Sequence, residues 1–117
     1  MSLNRDKYQA LATLLEQLRS DATTTQLDAP ELRRRLASLQ EFFGQQIVPL
    51  TDVDSRVQSY RTEISKQLRL LEIDVMFFQG ARQVSTAQTR LQTISDRLTT
   101  LLRYCTAILE PEAQGEK

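Results

Sequence analysis

Between Thr51 and Gln79 the chain has neither glycine nor proline, and its apolar residues recur every three or four positions: Val53, Val57, Tyr60, Ile64, Leu68, Leu71, Val75 and Phe78. That period puts all of them on one face of an α-helix and does not fit the two-residue alternation of a half-buried strand. A helix over 53–79 is about 40 Å long at 1.5 Å per residue. A rod of that length with one continuous apolar stripe has to bury it against other helices.

Three further segments supply them. Tyr8, Leu11, Leu15 and Leu18 predict a first helix over 5–20, with Asn4 as N-cap and a polar loop from Asp21 to Gln26. Asp28 and Glu31 have capping-box spacing, Leu27 and Leu32 occupy the staple positions, and Pro30 falls in the first turn. The helix they open runs over 29–47 on Leu32, Leu36, Leu39, Phe43 and Ile47, and Pro49 stops it. Ser85, with Gln88 three residues on, opens a fourth helix over 86–109. Its stripe is Leu91, Ile94, Leu98, Leu101, Cys105 and Ile108, and Pro111 ends it. The expectation is an all-α, antiparallel four-helix bundle with a long third/fourth helix hairpin. It forms a single helical domain over 1–110, with a disordered polar tail over 111–117.

The composition restricts chemistry. There is no histidine, which removes the commonest general base and the Glu-x-x-His metal motif of bundles. Cys105, the single cysteine, sits in an apolar stripe with no base to activate it. Gly44, Gly80 and Gly115 are isolated, so no glycine-rich loop can cradle a phosphate. Glu16, Glu63 and Glu72 read as helix-surface charges, with Glu16 placed to pair with Arg19. No catalytic residue, metal site or cofactor is expected. Fifteen basic and fifteen acidic residues cancel, which argues against nucleic acid or an anionic membrane as partner. Arg33, Arg34 and Arg35 spread around about 200° of a helix and read as a solvated face, with a site for an acidic partner segment as the alternative. No stretch approaches the roughly 20 apolar residues of a membrane span, and no apolar signal core is visible, so a cytoplasmic location is expected.

The long helix carries more apolar surface than a simple bundle needs. Leu70, Ile73 and Phe77 form a second stripe, about 120° from the first, and Met76 points in a further direction. The first two helices are shorter than the last two, so this end of the third should overhang them. The expectation is a docking surface made of Leu70, Ile73 and Phe77, where Arg69 and Arg82 steer an acidic partner or a second copy forms a homodimer. The competing expectation is that the Leu3 region or the 21–27 loop folds over it.

Two segments resemble a known family. RVQSYRTEISKQLRLLEIDVMFFQGARQ, from Arg56 to Gln83, and DRLTTLLRYC, from Asp96 to Cys105, are similar to the cyanobacterial heterocyst frequency control protein PatD family. The resemblance is strongest over 56–105 and looser before Pro49. It departs at Gly80, where the family has an alanine-rich end. It implies a small cytoplasmic regulator that binds the tubulin-like division protein FtsZ, influences its filament assembly and so limits heterocyst differentiation. The alternative is a structural helical subunit of a larger assembly.

Overall fold

The computed structural model describes residues 2–25, 27–51 and 54–110 and, for residues 2 and 3, the backbone alone. The expected tail over 111–117 and the start of the third stripe at Val53 lie outside the described residues. Four α-helices follow one another: α1 (Ser2–Thr24), α2 (Ala29–Phe42), α3 (Ser55–Gly80) and α4 (Val84–Leu109). A π-helical turn, Phe43–Ile47, extends α2, and there is no strand among the described residues.

The apolar periods do what they predict. Tyr8, Leu11, Leu15 and Leu18 of α1, Leu32, Leu36 and Leu39 of α2, Ile64, Leu68, Leu71 and Val75 of α3, and Ile94, Leu98, Leu101, Cys105 and Ile108 of α4 are buried in one core. Val57, Tyr60, Phe78 and Leu91 pack half-buried against it. α4 lies along both α1 and α3, and α2 closes the bundle against α1 and α3. Neighbours run antiparallel: Arg5 at the start of α1 donates to Leu109 O at the end of α4, at 2.7 Å. The molecule is 49 Å long, about one long helix plus its turns.

Several helix ends differ from expectation. α1 continues to Thr24 instead of stopping at Ser20. Ala22 is fully buried, and the hydroxyls of Thr23, Thr24 and Thr25 bond back to carbonyls of the preceding turn. The three threonines therefore finish a helix and do not form a loop. At its other end α1 begins at Ser2, so Asn4 is not a cap; its amide donates to Thr51 O at 3.4 Å. Asp28 does cap α2, accepting from Glu31 N at 3.0 Å, but the return arm of the box is absent because Glu31 pairs with Arg34 at 2.7 Å. The second helix ends at Ile47 as expected but widens into the π turn, where Val48 N bonds Phe43 O at 2.9 Å. Arg61 reaches across from α3 to two carbonyls freed beyond that turn, Val48 O and Leu50 O.

α3 is capped by Asp54, whose carboxylate accepts from Val57 N at 2.8 Å, and so starts at Ser55, two residues later than expected. α4 starts at Val84, with Gln83 at the N-cap and no side-chain cap. Ser85 is thus inside the helix, and the capping box predicted for Ser85 and Gln88 does not form.

Candidate partner-binding surface

The orientation of the last turns of α3 is set from inside. Leu71 and Val75 are buried, and Asp74 faces α4, where it accepts from Arg97 Nε at 2.8 Å. Arg97 also donates to Gln67 Oε1 at 3.0 Å, two helical turns earlier on the same side. With that face pinned, the 100° step per residue turns Ile73, Met76 and Phe77 away from the core. Their relative exposures are 41%, 61% and 53%. Val84, across the turn at the start of α4, is 74% exposed. Among the described residues these four are most of the large apolar side chains left exposed. Leu70 is half-buried.

Basic side chains border this strip. Arg69 and Arg82 are exposed, one before Ile73 and one past Gly80. Arg90 of α4 lies over the Phe77 ring, with its guanidinium carbon 4.8 Å from the centroid, within cation–π range. On the other flank, Met76 and Val75 help line an open groove of about 750 Å³ between α2 and α3. Leu36 and Ala37 line it from α2, and Arg33, Arg34, Gln40, Glu72 and Gln79 supply its polar lining.

The expected overhang is only half correct. Arg33 in the first turns of α2 reaches Gln79 at 3.4 Å, so α2 runs level with the end of α3. α1 stops short: Arg19 bonds Thr99 at 3.0 Å and the helix ends at Thr24, about 7.5 Å further on. The first two turns of α4 therefore project past α1. Ile73 and Phe77 are exposed because they face outward, not because the end of α3 lacks a neighbour. The 21–27 segment does not fold over them; Asp21 is held by Arg35 at 3.0 Å on the α1–α2 side. The side chain of Leu3 lies outside the described residues, and its backbone starts α1, beside Asn4, which bonds Thr51 O at the opposite end.

Of the residues expected at this site, Ile73, Phe77, Arg69 and Arg82 are exposed and Leu70 is half-buried. The sequence reading missed Val84 and Arg90 and left Met76 unassigned. Arg90 meets Phe77 only through the register of the α3–α4 hairpin, which no local spacing reports. A cap at Ser85 would leave Val84 outside the helix. The arginine run divides as a solvated face would: Arg34 to Glu31, Arg35 to Asp21, Arg33 to Gln79.

Cys105 is fully buried, and burial pushes its thiol up to about 12. Burial likewise pushes the Tyr8 hydroxyl up to about 12, with nearby Arg61 acting in the opposite sense and Cys105 in the same sense. Among the described residues no cluster of histidine, cysteine or carboxylate is placed to hold a metal ion. Among the described residues no helix is long and apolar enough to cross a membrane. Compared with protein-family models, with curated proteins and with solved structures, the chain matches none.

Proposed function

We propose that this chain is a non-enzymatic interaction protein of the PatD type, acting in the cytoplasm, that binds FtsZ and modulates its filament assembly to limit heterocyst differentiation. The observation that carries the interaction reading is the exposed strip of Ile73, Met76, Phe77 and Val84, bordered by Arg69, Arg82 and Arg90. Exposed apolar side chains with basic neighbours are common features of a protein-binding surface. Burying one such side chain contributes roughly 1.5–3 kcal/mol, so three or four of them can anchor a partner segment. The choice of FtsZ comes from the resemblance over 56–105, which spans this strip and most of α4.

Pelleting of FtsZ polymers tests the proposal. The chain should sediment with GTP-assembled FtsZ, and the amount of polymer should change. The Ile73→Ser, Phe77→Ser double variant should remain in the supernatant. If the unmodified chain stays in the supernatant while FtsZ pellets, the FtsZ reading is rejected, and a permanent subunit of another assembly becomes the better account of the strip.

A further inference from the structure

We infer that the occupant of this strip is an acidic amphipathic helix of a different protein, and not a second copy of this chain. The inference rests on reading the α3–α4 end as the partner surface and adds the chemistry of what it takes.

Charge decides against self-pairing. From Val75 to Ser95, across the end of α3 and the first half of α4, there are two arginines and no acidic residue. Asp74, just before, is buried and occupied by Arg97. Exposed carboxylates stand at both limits of that segment: Glu72, which lies with Arg69 toward α2 and accepts from Gln40, and Asp96, which accepts from Gln92 within α4. A two-fold pairing of this face would bring both copies of Arg69, Arg82 and Arg90 into one interface, where Glu72 is the one exposed carboxylate of residues 69–95. Like charges brought together in a desolvated interface oppose association, while the same arginines favour an acidic partner.

Shape decides for a helix. The strip runs from Arg69 to Gly80 on the outer side of α3, about 17 Å by the helical rise. There is no sheet edge among the described residues on which an extended segment could pair its backbone. The occupant must satisfy its own backbone groups, and a helix does so. Two to three turns of helix, with apolar residues at i, i+3 or i+4, and i+7, match the row of Ile73, Met76 and Phe77. Carboxylates at its two ends and along one flank would meet Arg69, Arg82 and Arg90.

The test is selection from a displayed library of random 16-residue peptides on the folded chain, with counter-selection on the Ile73→Ser, Phe77→Ser variant. Peptides that distinguish the two should be net acidic with apolar residues at helical spacing. One of them, synthesised, should bind about tenfold more weakly to the Arg69→Glu, Arg82→Glu variant and lose affinity as salt rises. If no peptide distinguishes the chain from the serine variant, the surface reading itself fails. If the distinguishing peptides are neutral or basic, the surface stands and the acidic occupant is wrong. A chain that is dimeric in sedimentation equilibrium and monomeric as the serine variant would make the occupant a second copy and overturn the inference.

Discussion

Arg97 of α4 holds the Asp74 carboxylate of α3 with two nitrogens, Nε at 2.8 Å from Oδ2 and Nη2 at 3.4 Å from Oδ1. The Asp74 side chain is 10% exposed and that of Arg97 25%, so the pair is largely withdrawn from water. This fork adds a polar contact to the buried stripe of Leu68, Leu71 and Val75, and the two together set which residues of α3 face outward.

Arg97→Ala should leave Asp74 buried without its cation and destabilise the fold by about 2–4 kcal/mol, read as a lower urea midpoint. Replacing both residues, Asp74→Leu with Arg97→Met, should cost less than the single change, because no charge is then stranded. A single variant as stable as the parent would show that the pair does not hold the hairpin.

Alkaline pH should weaken the fold through Cys105 and Tyr8. Burial raises the Cys105 thiol from 9.0 to about 12 and the Tyr8 hydroxyl from 10.0 to about 12. The unfolded chain then releases these protons at lower pH than the folded one. Stability is complete below about pH 9 and falls as pH rises toward 12, by up to about 1.4 kcal/mol per pH unit for each group. Cys105→Ala should cost about 1–2 kcal/mol at neutral pH and flatten the alkaline slope. Urea titrations at several pH values read both effects, and a slope unchanged by the substitution would assign the alkaline loss elsewhere.

The stripes of the four helices are legible in the sequence because a buried position every three or four residues is a local signal, and Leu11, Leu68 and Leu98 all lie inside as their spacing requires. The helix ends are less legible. Thr23, Thr24 and Thr25 look like a loop, since threonine favours neither a helix interior nor its end until its hydroxyl finds a carbonyl one turn back. Asp74 reads as an ordinary surface acid; its burial depends on Arg97, twenty-three residues away, through the register of a turn. The candidate site is half legible for the same reason. Ile73 and Phe77 follow from the helical period of α3, whereas Arg90 joins them only once α4 is laid alongside.

Gly80, the point of departure from the resembling family, has no conformational need to be glycine. It ends α3 in helical geometry, the chain leaves through an extended Ala81, and a Cβ at Gly80 would meet nothing within 4 Å. Gly80→Ala should therefore raise stability by up to about 0.5–1 kcal/mol through the lower entropy of the unfolded chain. A thermal midpoint that falls would reveal a contact at this turn that the open space around Gly80 does not suggest.

Ile73→Ser with Phe77→Ser should leave the fold intact. Both side chains are about half exposed, and neither belongs to the core of Leu68, Leu71 and Val75 on the opposite side of α3. The loss of the Arg90 contact with the Phe77 ring removes no more than about 1 kcal/mol at so exposed a position. Helical content by circular dichroism should match the parent chain, and the thermal midpoint should move by a few degrees at most. Phe78 is the control: it is half-buried against the core, and Phe78→Ser should lower the midpoint well beyond the double variant, although it changes a single residue. If the order is reversed, so that the outward pair is the more damaging substitution, then Ile73 and Phe77 belong to the folding core and the apolar strip is not a surface held ready for a partner.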